Sequence, residues 1–538
     1  MPVSIWAGCG RSWTPDRSNC REGRAVSTVD GTADTTASVS HRDEMLALME
    51  MQRRAFLADG PPDVATRRNR IDRLVALMVD NADALVDALV QDFGSKSRLG
   101  TLSTEIVGCI SQIEHTRSNI PKWMRESKIL RAGRALGIRA EVVPSPLGVV
   151  GIIGPWNFPV QLVIVPAVAA FAAGNRVMIK MSEVTAATAE LMKTLAAQYF
   201  DPAELAVVTG DAMAAADFSS LPFDHLFFTG SPGVGKLVQR AASDNLVPVT
   251  LELGGKNPVV VAPDADIRRS ASRIALGRMV NGGQVCVCPD YVFVPNGQID
   301  AFVTQAKDTL AAAFPSVVDD PQYPASVNQA NFDRVIGLIE DARRHGARVE
   351  TVVPQGEDLP DPDSRKIPPT IVRDVDDRMR IAHEEIFGPV LVVKPYDRLS
   401  DVVDHVNARP APLVTYWFGP DRAAFREYVR HTRSGGVARN EFGLHMLPAA
   451  APFGGVGNSG MGAYHGKAGF DTFSHYRTVV GSDLPFSVTT SSAVQPFSRA
   501  ARTIAAITIR SARRRTRRRL GGDGQRVSAS VPTTSDLR

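Results

Sequence analysis

Apolar residues recur at three- and four-residue steps from about Asp43 onward: Leu74, Leu77 and Met78, then Ala82, Leu85 and Leu89. That period marks one face of a helix, so the ordered chain opens with helices. From Val149 the pattern changes. Residues 149–153 form a short apolar run ended by Gly154-Pro155, and a helix is predicted over 162–173, stopped by Gly174-Asn175. More short apolar runs follow at 177–179, 225–228, 249–251 and 258–261, and Gly230 opens a helix after 225–228. Beyond Cys286 the alternation resumes at 291–294, 371–372 and 390–393. Buried strands alternating with helices predict an α/β fold with a doubly wound parallel sheet and a second α/β lobe.

Residues 144–174 carry no charge and are long enough to span a bilayer. Pro155, Pro159, Pro166, Gly151 and Gly154 interrupt them, so the expectation is a buried strand, loop and helix. The chain has 538 residues, 44% hydrophobic and 22% charged, which excludes wholesale disorder, collagen and coiled coil. Net charge is +4, yet seven arginines lie between Arg510 and Arg519, which leaves the rest at −3. A near-neutral body argues against specific nucleic-acid binding. Five scattered cysteines, Cys9, Cys20, Cys109, Cys286 and Cys288, fit no disulfide framework. No secretory signal is evident, and a reducing, cytoplasmic setting is expected. Residues 1–42 read as a disordered leader and 481–538 as a flexible basic tail. The arginine cluster is expected to make, at most, weak contact with anionic surfaces.

Candidate chemistry concentrates in four places. Cys286 follows Asn281-Gly282-Gly283-Gln284 and precedes a strand, where a thiol can serve as nucleophile or simply as a small buried residue. Cys288 reads as a packed neighbour, and no second cysteine pair or nearby histidine supports a metal site. Glu252 ends a strand just before Gly254-Gly255, in reach of a crevice where a carboxylate can activate water; a surface ion pair is the plainer alternative. Asn157 sits between Trp156 and Phe158, and its amide can serve an oxyanion or a local turn. Gly230-Ser231-Pro232-Gly233-Val234-Gly235-Lys236 follows a strand and opens a helix, so its N–H groups can hold phosphate. It matches neither standard phosphate loop, since Leu237 stands where a magnesium-binding Ser or Thr is needed.

Taken together these motifs resemble the aldehyde dehydrogenase superfamily. The resemblance rests on Phe228-Thr229-Gly230-Ser231, Glu252-Leu253-Gly254-Gly255-Lys256, Gly283-Gln284 before Cys286, residues 384–389, and Pro452-Phe453-Gly454-Gly455, all in family order from about residue 45 to 480. Pro289-Asp290-Tyr291 and residues 459–475 resemble the class 3 branch. Asp92-Phe93-Gly94-Ser95-Lys96-Ser97 is similar to bacterial coniferyl-aldehyde-type members.

The resemblance implies two doubly wound α/β domains plus a small β extension for oligomerisation. A leader over 1–42 would precede a nucleotide-binding domain over 43–251, with 130–144 in the extension. A catalytic domain over 252–445 would follow, then a segment over 446–480 that returns to the nucleotide-binding domain and the oligomerisation extension. It implies NAD(P)-dependent oxidation of an aromatic or medium- to long-chain aldehyde to its acid, by a homodimer. Cys286 would be the nucleophile, Asn157 the oxyanion donor and Glu252 the general base. Lys180, Ser182 and Glu183, in Lys180-Met181-Ser182-Glu183, would serve the adenosine side, with Met181 where the family usually has Pro. Gly230, Ser231 and Gly235 would meet the pyrophosphate, and Glu385 and Phe387 the nicotinamide side. Glu183 would favour NAD over NADP by charge. Trp156, Tyr464 and His465 are candidate entrance residues. Two other readings stay open: a magnesium-dependent P-loop hydrolase resting on Gly230–Lys236, and a nucleotide-binding protein that has lost its chemistry.

Overall fold

The computed structural model describes residues 40–130, 137–487, 489–495, 497 and 499–522. The expected leader, apart from its last few residues, lies outside them; a helix runs His41–Asp59, starting inside the stretch predicted as disordered. The helical period of the next segment is realised in Val64–Asp80 and Ala82–Phe93, where Leu74, Leu77, Met78, Leu85 and Leu89 are all buried.

The first sheet has six strands in the spatial order Gly460–Met461, Val249–Leu253, His225–Gly230, Val149–Ile153, Arg176–Lys180, Leu205–Val208. All pair in parallel except Gly460–Met461, which runs antiparallel to Val249–Leu253. From Val149–Ile153 the chain steps to one side through two strands, then returns to the other side through His225–Gly230. That reversal opens a crevice beyond the carboxyl ends of the two central strands.

The second sheet has seven strands in the order Arg348–Thr351, Thr370–Arg373, Val390–Tyr396, Tyr291–Pro295, Pro258–Val261, Val414–Phe418, Gly436–Arg439. Only Arg348–Thr351 is antiparallel to its neighbour. A third sheet joins Ser127–Lys128, Ile138–Pro146 and Ser474–Ser482, the last two antiparallel with Thr478 opposite Val142.

The uncharged stretch 144–174 resolves into strand, loop and the helix Gln161–Ala173, which is buried from Val163 to Ala173 and ends at Gly174 with φ 99°. Being apolar all round, it can only sit inside. No helix among the described residues is long and apolar enough to cross a membrane. The tail differs from expectation: Arg499–Gly522 is a 24-residue helix that includes the arginine cluster. Alanine and arginine are strong helix formers, and that propensity prevails locally over like-charge repulsion.

Asn175 ties three parts together from a fully buried position. Its Oδ1 accepts from Leu147 N (2.7 Å) and Gly148 N (2.9 Å), and its Nδ2 donates to Ala170 O (3.1 Å) and Phe473 O (2.8 Å). Asn175→Ala removes four buried side-chain hydrogen bonds, with the Ala170 carbonyl alone keeping backbone partners (Gly174 N and Asn175 N), and is expected to cost about 2–4 kcal/mol. Urea unfolding at matched m-value checks this, and an unchanged midpoint would refute it.

Candidate active site

One cavity of about 1200 Å³ opens at the crevice of the first sheet and extends to the second. Its wall carries Asn157, Ser182, Glu183, Gly230, Ser231, Glu252, Cys286, Glu385 and Phe387. Nine predicted residues, scattered over some 230 positions of chain, therefore converge on one space. Lys180 and Gly235 stand just behind the wall.

Cys286 is half-buried and follows a left-handed run at Asn281 (φ 49°), Gly282 (φ 63°) and Gly283 (φ 78°). A Cβ on Gly283 would collide with the Gly388 carbonyl, so the loop closes only with glycine there. Gln284 fastens it: its Nε2 donates to Asn281 O (3.0 Å) and Ala325 O (3.1 Å), and its Oε1 accepts from Val327 N (3.1 Å). Asn257 Nδ2 donates to the carbonyls of Cys286 (2.7 Å) and Cys288 (3.0 Å). Burial pushes the Cys286 thiol up, and the carboxylates of Glu385 and Glu252 push it further, while its own backbone N–H works the other way. Cys288 is buried, its sulfur turned to the Gly277 and Arg278 carbonyls.

Asn157 lies just beyond the strand Val149–Ile153. Its Nδ2 donates one hydrogen to Gln284 O (3.1 Å), which leaves the second free to face the cavity. Glu252, only 4% exposed, lies near the end of Val249–Leu253, and neither carboxylate oxygen has a protein partner. Burial holds its pKa well above the ordinary carboxylate value. Glu385 lies against Gly254, where a Cβ would strike its carboxylate. Burial, then Asp290, pushes Glu385 up to about 8, against a hydrogen bond from the Gly255 backbone. Phe387 takes φ 50° and meets Trp156 edge-on at 5.3 Å between ring centres.

On the other limb of the cavity, Ser231 caps the helix Pro232–Ser243 by accepting from Val234 N (3.3 Å). A side chain on Gly230 would meet the Phe228 ring and one on Gly235 would meet Leu253, so both glycines serve close packing. Lys236 is exposed and off the wall, whereas Leu237 lines it, so the P-loop reading fails for want of its lysine. Lys180 donates to Met181 O (2.7 Å) and Gly210 O (2.9 Å), Ser182 caps the turn Glu183–Thr185, and Glu183 projects as an exposed charge. Met181 is buried in the core.

Two entrance expectations are corrected. Tyr464 and His465 are buried, packed with Phe453 at 5.7 and 5.3 Å, and neither reaches the wall; only Trp156 does. Sequence reasoning also missed a buried network behind the site. Arg278 donates to Gly388 O through Nε (2.8 Å) and Nη2 (2.6 Å) and to Pro289 O through Nη1 (2.9 Å). Asp290 accepts from Lys256 Nζ and from Ile386 N (2.9 Å). The signal available was Pro289-Asp290-Tyr291, an acid in an otherwise apolar strand entry. No cluster of three or more His, Cys, Asp or Glu fit for a metal occurs among the described residues.

The geometry suits a dinucleotide. The cavity exceeds the ~300–1,000 Å³ of ordinary small-molecule sites. Its far limb is a glycine turn into a helix N-terminus. Comparison with known proteins agrees. Residues 13–479 match the aldehyde dehydrogenase family model. The chain is 45% identical over 446 residues to the probable coniferyl aldehyde dehydrogenase of Caulobacter vibrioides, covering 82% of this chain and 92% of that one. It is 43% identical over 438 residues to the coniferyl aldehyde dehydrogenase of a Pseudomonas species, covering 81% and 91%. The substrate-bound structure of Staphylococcus aureus AldH is similar with a TM-score of 0.79 at 33% identity, covering 86% of this chain and 99% of that one. The protein belongs to the aldehyde dehydrogenase family and is an aldehyde-oxidising oxidoreductase.

Proposed function

We propose that the protein oxidises an aromatic aldehyde of the cinnamyl type to its acid with NAD, and that Cys286, Asn157 and Glu252 carry the reaction. The observation that supports this best is the meeting of a thiol, a free amide hydrogen and an unpartnered carboxylate in one cavity with a glycine-turn helix N-terminus. The similarity to proteins named coniferyl aldehyde dehydrogenases, and the Trp156–Phe387 pair in the wall, favour an aromatic substrate over an aliphatic one.

Cys286 gives its thiol proton to water in the cavity, its Sγ adds as thiolate to the aldehyde carbon, and the new oxyanion accepts from Asn157 Nδ2 and the Cys286 N–H. When bound, the nicotinamide ring supplies the two-electron acceptor for the hydrogen on that carbon. A thioester remains on Cys286. Glu252 takes a proton from water, the water oxygen attacks the thioester carbon, the C–S bond breaks and the acid leaves. Gly230, Ser231 and Gly235 would shape the pyrophosphate seat, with Lys180, Ser182 and Glu183 on the adenosine side and Glu385 and Phe387 on the nicotinamide side. The exposed carboxylate of Glu183 opposes a 2′-phosphate. A reducing compartment, the cytoplasm, suits a free thiol nucleophile.

NADH absorbance on mixing with cinnamaldehyde, benzaldehyde and decanal tests the reaction. The wild type is expected to be fastest with the aromatic aldehydes, and Cys286→Ala to give no signal. NAD is expected to outperform NADP, with Glu183→Gln narrowing the gap. A faster rate with decanal would overturn the substrate class.

Because burial raises Glu252, its base form grows in only as pH climbs above the ordinary carboxylate range. The hydrolytic step is therefore expected to quicken as pH rises above the ordinary carboxylate range, and Glu252→Gln to release one burst of NADH without turnover. The same shift has a stability sign. The native state binds this proton more tightly than the unfolded chain, so the contribution is full at acid pH and lost as pH rises. Glu252→Gln is expected to match wild-type stability near pH 5 and to exceed it by about 1–3 kcal/mol near pH 8. Denaturant titrations at both pH values check this; equal stability at both would refute it.

We further propose a homodimer built on the third sheet, where the edge strand Ser474–Ser482 exposes Val479 and Val480. The arginine-bearing helix Arg499–Gly522 would make a salt-sensitive contact with anionic surfaces. Sedimentation is expected to give a dimer. Co-sedimentation with anionic vesicles at low salt is expected to disappear on deleting residues 500–538; a monomer, or unchanged partition after the deletion, would refute the respective proposal.

A further inference from the structure

Two charged side chains outside the cavity wall reach the loop that carries Asn157. Lys96 is 4% exposed and Glu105 1%. Charges this deep destabilise a fold unless other groups answer them. The Lys96 ammonium donates to the Asn157 carbonyl at 3.4 Å and lies 4.0 and 5.5 Å from the ring centres of Phe93 and Phe158. Glu105 Oε2 accepts from Val160 N (3.2 Å) and Gln161 N (2.8 Å), the first amides of the helix Gln161–Ala173. Val160, the cap residue of that helix, makes no side-chain cap bond. Glu105 therefore caps the helix from another segment, with the favourable sign for a helix N-terminus. The loop 154–160 is thus held at Asn157 by one charge and at its exit by the other. Asn281 Nδ2 adds a bond to the same Asn157 carbonyl at 3.3 Å.

Both holders are themselves fixed. Ser95 beside Lys96 donates to Tyr323 O (2.7 Å), and Ala325 N donates back to Ser95 O (3.0 Å). Glu105 belongs to a single π-helical turn, Leu102–Val107, set between α-helical segments, a geometry frequent at functional sites. Burial lowers the Lys96 ammonium and raises the Glu105 carboxyl; the attraction between them opposes both shifts, and Asp92 also supports the ammonium. None of these groups faces the reacting atoms.

We propose that Lys96 and Glu105 are positioning residues of the thioester-forming step. They hold the loop 154–160 so that the second amide hydrogen of Asn157 points at the oxyanion. This rests on the reading of Asn157 given above. A small displacement of such a donor is costly, since misplacement by ~1 Å can slow a reaction about 100-fold.

The test is the pre-steady-state burst of NADH from cinnamaldehyde and NAD, with Lys96→Met and Glu105→Leu alone and each combined with Asn157→Ala. Each single variant is expected to slow the burst about 10–100-fold. The KM for NAD and the alkylation rate of Cys286 by iodoacetamide should stay at wild-type values. Each double variant should be no slower than Asn157→Ala alone, because residues acting through one group are not additive. Glu105→Gln, which keeps an oxygen for the two N–H groups, should restore most of the burst. A full burst in Lys96→Met and Glu105→Leu, or losses that multiply with Asn157→Ala, would overturn the proposal. A wild-type burst in Asn157→Ala would instead overturn the reading of Asn157 itself. Lys96→Met keeps the aliphatic stem and carries the test should Glu105→Leu fail to fold.

Discussion

The site depends on a crossing of only four residues. The strand Val249–Leu253 belongs to the first sheet and Pro258–Val261 to the second, so Gly254 to Asn257 carry the chain from one sheet to the other. A tether this short sets where the edge of one sheet lies against the other. Gly254 lets the Glu385 carboxylate lie on the backbone, and a Cβ on Gly255 would press to 3.3 Å from Leu413 N. The two polar residues of the crossing then both grip the segment 286–290. Lys256 pairs with Asp290, and Asn257 takes the carbonyls of Cys286 and Cys288 while accepting from Val414 N (3.1 Å). The crossing that follows the candidate base therefore also fastens the loop of the candidate nucleophile.

Arg278 closes the arrangement from behind. Its buried guanidinium holds the Gly388 and Pro289 carbonyls, which lie on the loops of Glu385 and Cys286 respectively. Hydrogen bonds from a charged group contribute about 1.5–3 kcal/mol each, so this clamp outweighs any single surface ion pair of the molecule. Rigidity bought here permits the opposite at the wall: Glu252 has no partner for either oxygen, and Glu385 is pushed up to about 8. A buried carboxyl with no partner, as at Glu252, and one that burial pushes toward its neutral form, as at Glu385, weaken a fold. Their presence in the wall, beside a thoroughly bonded second rank, is the pattern of a site that has traded stability for reactivity.

What the sequence made legible follows from locality. Glu252 and Asn157 sit at or just beyond a strand end and Cys286 on the loop before a strand, all within a few residues of glycine or proline, so a period-breaking signal marks them. The apolar runs at 149–153, 225–228 and 258–261 are central strands covered on both faces, and continuous hydrophobicity betrays them. Gly436–Arg439 and Arg348–Thr351 lie at the edges of the second sheet, half-buried and polar in part, and no such run announces them. The helix Arg499–Gly522 was hidden by its charge, which reads as solvated chain although alanine and arginine favour helix. Tyr464 and His465 entered as candidate entrance residues with the family resemblance, not from any pattern of their own. Their burial among Phe227 and Phe453 is a product of tertiary stacking that no local pattern encodes.

Lys96 and Glu105 show the same limit most sharply. In sequence they flank a short helix with exposed Arg98 and Leu99, and any periodicity argument places such charges outside. Only the fold brings the helix Gln161–Ala173 against this segment with its first N–H groups unanswered. That helix is buried from Val163 to Ala173, and its cap residue Val160 makes no capping side-chain bond of its own. A carboxylate from elsewhere in the chain must answer those groups, and a buried carboxylate in turn favours a cation nearby. The apolar character of residues 161–173, plain in the sequence, thus creates the demand that Glu105 and Lys96 meet. The loop carrying Asn157 lies between that demand and its answer.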